Sequence, residues 1–316
     1  MSRSARSLVA LFTLGWALLL AAADMNYDLR PVRVAADTWV LTGLNEDFSF
    51  KNGGNIVNTG FIVTPAGVLV IDSGPSRAYG EQLRRAIARI TDKPVVMVLN
   101  THHHPDHFLG NQAFAPDTLA ALPETIHGIH SEGGGFNENM YRLAGDWMAG
   151  TEVLAPTKPL TPGPLELGGH TLELIALKGH TGADLAIFDR STGVLFAGDL
   201  VFHDRAPTTP HANIPAWQAS LDQLDTLGFQ VLVPGHGPVT LDAGPIRQTR
   251  AWLTWLDKAL RQAAEDGLDM TEALALDLPA EFRRLAVVEA EYRRSVGQLF
   301  PAYELKALSR SGRPAQ

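Results

Sequence analysis

The chain has 316 residues, 45% of them hydrophobic and 19% charged, which is enough apolar content for one large domain, alone or with an appendage, and excludes a wholly disordered chain. A formal charge of −8 makes it a poor ligand for polyanions, so no nucleic-acid partner is expected. The absence of cysteine excludes thiolate ligands and thiol nucleophiles, and any metal must be held by imidazole, carboxylate and water.

The first element is a leader. Arg3 and Arg6 precede a mostly apolar run over 8–23, which ends in the small-residue patch Ala21-Ala22-Ala23 before Asp24; this is the three-part layout of a secretory signal peptide over residues 1–23. A run of about 16 apolar residues is short for a bilayer span, so cleavage and export are expected rather than anchoring. Its loss removes two arginines and no acid, moving the charge from −8 to about −10.

Residues 39–41, 56–63 and 68–71 are rich in apolar, β-branched or aromatic residues and are separated by Asn52-Gly53-Gly54 and Pro65-Ala66-Gly67, which predicts antiparallel strands. Over 77–90, Tyr79, Leu83, Ile87 and Ile90 fall at helical spacing, and Val95-Val96-Met97-Val98-Leu99 reads as a buried strand bounded by Pro94 and Asn100. The region 115–150, with Gly133-Gly134-Gly135, is the least regular and is expected to be a mobile loop followed by a short helix over 137–148; Tyr141 and Trp147 there belong either to the core or to a pocket. Strands are expected again at 171–177, 184–188, 194–197 and 231–233, with a helix over 216–227. Beyond residue 240, Ile246, Leu253, Leu256 and Leu260 line one face of a helix, and a last helix over 281–300 is expected to stop at Pro301, leaving a frayed tail at 309–316. Two β-rich halves with helices outside fit a four-layer α/β sandwich over 24–240 with a C-terminal helical extension over 241–316.

Chemistry concentrates where the strand over 95–99 ends. In Thr101-His102-His103-His104-Pro105-Asp106-His107, the residues His102, His104, Asp106 and His107 offer four imidazole or carboxylate donors within six positions. Side chains alternate along an extended backbone, so 102 and 104 point the same way, whereas 106 and 107 come after a turn that Pro105 helps to set. Two ligand pairs for two neighbouring metals result. His180, Asp199 and His236 each come after an apolar strand with glycine beside them, which lets the backbone turn sharply and project a side chain into a shared cleft. A carboxylate at 199 could bridge two cations.

Other polar residues carry plainer readings. His103 alternates away from its neighbours and is read as a packing residue or a support for a ligand. Asp72, before Ser73-Gly74, is either an Asx-type turn or a support beneath the site. His203, Asp204, Arg205 and His211 line either the substrate cleft or a solvated loop. His127, His130 and Glu132 have metal-like spacing but lie in irregular sequence, and His170, after Gly168-Gly169, is expected to be exposed.

The HxHxDH run at His102 to His107, succeeded in order by His180, Asp199 and His236, resembles the metallo-β-lactamase fold hydrolases over about two thirds of the chain, with Asp72 beneath the metal site. The resemblance implies a four-layer αβ/βα metallo-β-lactamase sandwich in which His102, His104 and His180 hold one metal and Asp106, His107 and His236 a second. Asp199 bridges them, and Asp106 also orients the nucleophile. Asp at 199 and His at 107 look more like glyoxalase II than like lactamases with a cysteine ligand. The whole chain is similar to the quinoprotein relay system zinc metallohydrolases, which implies a periplasmic location and a functional link to quinoprotein dehydrogenases.

Leader, ligand set and resemblance together imply an exported hydrolase with two zinc ions, iron or a mixed pair being the variants, that turns a metal-bound hydroxide on a small-molecule ester, thioester or amide. Export removes the usual pool of glutathione thioesters. The rivals are a β-lactamase, an iron-dependent sulfur dioxygenase using one metal position, and a binding protein without chemistry.

Overall fold

A computed structural model describes residues 25–311. The leader expected at 1–23 lies outside them, as do residues 312–316 of the expected frayed tail. Among the described residues no helix is long and apolar enough to cross a membrane.

The first sheet is built from β1 (Val32–Ala35), β2 (Thr38–Leu41), β3 (Thr59–Thr64), β4 (Gly67–Ile71), then β5 (Val95–Leu99), reached through helix α1 (Arg77–Ala88), and after the short helix α2 (Pro105–Phe108) by β6 (Leu119–Ala121). Helix α3 (Pro123–Ala144) precedes β7 (Lys158–Pro159), the last strand of this sheet. β1 to β4 pair antiparallel, and β4 to β7 pair parallel. The second sheet has β8 (Gly163–Leu167), β9 (His170–Leu177), β10 (Asp184–Asp189) and β11 (Val194–Phe202) in antiparallel order, then, past α4 (Ile214–Asp225), β12 (Val231–His236) parallel to β11. Helices α5 (Gly244–Glu265), α6 (Met270–Leu274) and α7 (Val288–Ser311) complete the chain.

Period-two alternation assembles the layers. In β4, Leu69 and Ile71 point into the core between the sheets with Leu185, Ile187 and Val233, while Val68 and Val70 pack on Tyr79 and Leu83 of α1. In β10, Ala186 and Phe188 face outward against Trp217 of α4 and the α5 residues Ile246, Leu253, Leu256 and Leu260, all four buried as their helical spacing predicts. Helix, sheet, sheet and helix thus stack as four layers.

Two stretches differ from expectation. The region 115–150 is mainly one 22-residue helix, α3, and not a loop with a short helix. Pro123 sits in its first turn, where the missing N–H costs nothing, and Ile129, Met140 and Ala144 bury against Phe108 and Leu109 of the α2 turn. That tertiary burial outweighs the roughly 1 kcal/mol each that glycines cost in a helix. The last helix starts at Val288 rather than 281, because Ala286 is held in a bridge to Arg205 and Val287 has a φ of +52°. It also runs through Pro301, although proline removes one helical hydrogen bond; α7 packs along α5, with Val296 and Phe300 fully buried.

Candidate metal centre

The carboxyl ends of the parallel pairs β4–β5 and β11–β12 meet at one rim, where open sheets offer their crevice. After β5 the chain bends through His102, His103 and His104, the last with extended dihedrals (φ −77°, ψ 150°) as a residue before proline must have, and Pro105 then begins α2. His102 and His104 come together, with Nε2 of the first 3.1 Å from Nδ1 of the second, and the turn adds Asp106 and His107. His103 points oppositely, to α3, where Gly128 makes room: a Cβ there would lie 2.8 Å from His103 Cγ.

The second half supplies the rest. His180 sits in the β9–β10 loop, clasped by Asp184, whose Oδ2 accepts from the backbone N–H groups of His180 (3.1 Å) and Thr181 (3.0 Å). Burial pushes the Asp184 carboxyl up to about 7 against those bonds. Asp199 emerges from β11 beside Gly235, where a Cβ would come within 1.9 Å of Asp199 Oδ1, so glycine at 235 is what admits the carboxylate. His236 ends β12, whose loop is tied down by Asn58 Nδ2 donating to Pro234 O (2.8 Å) and Gly237 O (2.7 Å).

Two donor groups result. His102 Nε2, His104 Nδ1 and His180 Nε2 converge, with His104 Nδ1 at 3.1 Å from the first and 2.8 Å from the last. Asp199 Oδ2 lies 3.9 Å from His102 and 3.3 Å from His180. Across from them, Asp106 Oδ2 is 3.6 Å from His107 Nε2 and 3.4 Å from His236 Nε2. Asp199 touches this group as well, through Oδ1 to His107 (3.2 Å) and Oδ2 to His236 (3.2 Å). Both groups are buried and could each hold a metal ion.

Outward partners set which nitrogen faces the cleft. Thr101 Oγ1 donates to Asp72 Oδ2 (2.8 Å) and so accepts from His102 Nδ1 (3.0 Å); His107 Nδ1 donates to Asp72 Oδ2 (2.7 Å), and His236 Nδ1 to Ile56 O (2.8 Å). Each ring then aims an Nε2 lone pair inward, and lone pairs facing one another at such distances are stable around a cation, whose tetrahedral nitrogen ligands would sit roughly 3.3 Å apart. Asp106 Oδ2, His107 Nε2 and Asp199 Oδ1 are buried without a well-oriented hydrogen-bond partner, a cost that a metal would remove. The residues fit metal.

Charge points the same way. Burial pushes the pKa of His102, His104 and His180 down, the last to about 3, so these rings stay neutral and ligand-ready. Burial also opposes ionisation of Asp199, but His236 and His107 hold its carboxyl well below the usual range. Burial resists charge on His107 too, and Asp106, Asp199 and Asp72 override it, raising its pKa well above the ordinary value. A site with that many carboxylates calls for a cation.

Residues 52–236 match the model of the Metallo-beta-lactamase superfamily. The chain belongs to that superfamily. Among curated relatives it is similar to an atrochrysone carboxyl ACP thioesterase of Aspergillus fumigatus, at 27% identity over 58% of this chain and 51% of that one. It is also similar to a hydroxyacylglutathione hydrolase of a Polaromonas species, at 31% identity over 48% of this chain and 52% of that one. The chain spans about half the length of these two relatives. A solved metallo-beta-lactamase from Pontibacter korlensis shares the fold, with a TM-score of 0.57 at 20% identity over 72% of this chain and 99% of that one.

Above the metallo-β-lactamase-type floor opens a cavity of about 210 Å³. Its floor includes His104, Asp106, Asp199 and His236; Phe48, Ile56, Phe136, Leu143 and Pro210 give it apolar walls, and Asp47, Arg205, Thr208, Glu291 and Arg294 a polar one. Arg205 reaches the wall but is not a free anion receptor, being buried, paired with Glu291 Oε1 (3.3 Å) and donating to Glu46 O. His203 is turned away, with Nδ1 at 2.6 Å from Pro238 O, and His211 lies at the rim with Nδ1 at 2.9 Å from His104 Nε2. Asp72 takes the supporting role: its φ is +58°, a turn conformation, but its carboxylate accepts from Thr101 and His107 at the next strand end and not from its own turn.

Several contacts were not legible in the sequence. His170 is buried, not exposed, with Nδ1 at 2.8 Å from Asp189 Oδ2 across two strands. The spacing of His127, His130 and Glu132 is that of neighbours on α3; the two histidines are exposed, and Glu132 alone reaches the rim, 3.1 Å from His211 Nε2. Trp147 packs on Tyr27 and donates to Phe50 O, and Tyr141 is exposed, so neither lines the cavity. Glu291 and Arg294 of the C-terminal extension do.

Proposed function

We propose that this protein is a binuclear metal-dependent hydrolase of small thioesters or esters. The observation that carries this reading is the position of Asp199, whose two oxygens touch both donor groups, so that a pair of cations would share one carboxylate. His102, His104 and His180 would hold one cation; Asp106, His107 and His236 the other. A nitrogen and oxygen donor set without thiolate suits two zinc ions. Bound there, the cations supply Lewis-acid activation of water and of the electrophilic carbonyl.

The chain's own groups do the rest. Asp106, at the cavity floor, would give Oδ2 to the second cation and use its other oxygen to orient the attacking water and accept its proton, while Asp72 and Ile56 O keep His107 and His236 in the tautomers that turn Nε2 inward. Phe48, Phe136 and Leu143 exclude bulk water and seat an apolar acyl group. The names of the thioesterase and hydroxyacylglutathione hydrolase relatives support the choice of a thioester over an amide. The leader at 1–23 supports export to the periplasm, where a partnership with quinoprotein dehydrogenases would be exercised.

The test is metal analysis joined to a substrate panel. Two zinc ions per chain and turnover of small acyl thioesters or esters are expected. One iron ion with consumption of dioxygen would make the protein a sulfur dioxygenase, and preferential turnover of penicillins, cephalosporins or carbapenems would make it a β-lactamase.

A further inference from the structure

His104 faces the centre through Nδ1, and its other nitrogen looks outward. His104 Nε2 is 2.9 Å from His211 Nδ1, and His211 Nε2 is 3.1 Å from Glu132 Oε2. The other oxygen of that carboxylate lies 3.5 Å from His103 Nε2, a buried atom with no hydrogen-bond partner. Three separate parts of the chain meet here: the turn into α2, the segment after β11, and α3. We propose that Glu132 and His211 are positioning residues, an outer carboxylate–imidazole chain that locks His104 into its ligating tautomer and sets the affinity for the first cation. This rests on His104 being a ligand through Nδ1.

Proton counting gives the chain its direction. A neutral imidazole carries one N–H. If His104 Nδ1 offers its lone pair to a cation, the hydrogen sits on Nε2 and must be donated to His211 Nδ1. His211 then carries its own hydrogen on Nε2, which points at the Glu132 carboxylate. Every hydrogen has one acceptor, and the run ends on a negative charge that strengthens each donor along it. Reversing the direction would put a hydrogen on His104 Nδ1, aimed at His102 Nε2 and His180 Nε2, and would take His104 out of the ligand set.

The same groups could be read as a third cation site, since His103, His104 and His211 offer ring nitrogens within 4.8 Å of one another. A cation held there by His104 would take the lone pair of Nε2, and with Nδ1 already given to the first cation that ring would keep no hydrogen at all, an imidazolate. A carboxylate needs no such step.

His211 and Glu132 side chains are about a third and two fifths exposed, at 32% and 42%, so both can be changed without opening the core. The experiment is chelator competition on the full chain loaded with zinc, comparing wild type with Glu132→Gln and His211→Ala, alongside thermal melting of the metal-free proteins. The dissociation constant of the cation held by His102, His104 and His180 is expected to rise by about 10- to 100-fold in His211→Ala, and by less in Glu132→Gln, with that of the second cation changed under about twofold. Metal-free melting should be unmoved. In the zinc-loaded wild type, imidazole nitrogen resonances should place the His211 hydrogen on Nε2. Unchanged affinity in both variants, the opposite His211 tautomer, or loss of a third zinc equivalent with the first two intact would each overturn the chain while leaving the metal centre standing. A wild type that takes up no zinc sinks the metal-centre reading and the chain with it.

Discussion

The floor and the walls of the cavity are built by different physics. On the floor, seven buried donor residues come from the turn after β5, the β9–β10 loop, β11 and the end of β12; Asp72, Thr101 and Ile56 O orient the rings of His102, His107 and His236, and Asp184 holds the His180 backbone. The walls come from the loop between β2 and β3, α3, the segment after β11 and α7, where apolar side chains stand beside ion pairs that run from the buried Arg205–Glu291 contact to the part-exposed Arg294. A rigid floor gives fixed chemistry; a wall assembled from surface helices leaves room for substrate choice to vary without disturbing it.

The sharpest test of that division is Asp106→Asn. An amide keeps the shape of α2 but neither accepts a proton nor carries charge, so turnover should fall by about 10²- to 10⁴-fold while the fold and the cation held by His102, His104 and His180 remain. Steady-state kinetics with metal analysis measure it. Unchanged turnover at full metal content would remove Asp106 from the chemistry.

Next comes the brace beneath the floor. Asp72→Ala deletes the acceptor of Thr101 N and Oγ1 and of His107 Nδ1, all buried. Metal affinity should drop by about 10- to 100-fold and stability by about 1–3 kcal/mol, since donors are stranded. Chelator competition and denaturant unfolding report the two effects separately; if only stability moved, Asp72 would be a turn former and not a support for His107.

Phe136→Ala addresses the wall. Phe136 lines the cavity and meets the His104 ring edge to face, with centroids 5.9 Å apart. The expected result is a rise of about tenfold in KM for a thioester with an apolar acyl group, with kcat within about twofold. A fall in kcat at constant KM would mean that the wall takes part in the chemistry and that the division fails.

The same contrast explains what could be read from sequence. The extended residue before Pro105 and the turn that follows are local consequences of residue order and were legible, as were the apolar strands leading to His180 and His236; Asp199 was expected after a strand over 194–197, whereas β11 runs on to Phe202 and carries it inside. Helix α3 was not: its triple glycine reads as a loop, and the burial of Ile129 and Met140 on Phe108 that makes it helical is a long-range contact. His170 was misread for a like reason, because its partner Asp189 arrives from the next strand. Glu291 and Arg294 reach the cavity from α7, whose start is held by the Ala286 bridge to Arg205 and whose length packs on α5, both long-range contacts.

The smallest expected effect concerns that rim. Burial pushes the Glu291 carboxyl above its ordinary pKa of 4.5, and Arg294 and Arg205 oppose the shift without cancelling it. A carboxyl raised on folding binds its proton more tightly in the native state, so its contribution to stability is complete below 4.5 and is lost as pH rises through the folded value. The unfolding free energy of wild type minus that of Glu291→Gln should therefore fall with pH across that window, by at most about 1.4 kcal/mol per pH unit, and be flat outside it. The constant offset from stranding Arg205 drops out of this slope. Denaturant titrations at several pH values measure it. A rising difference would mean that the two arginines outweigh burial, and the wall would then be braced as firmly as the floor.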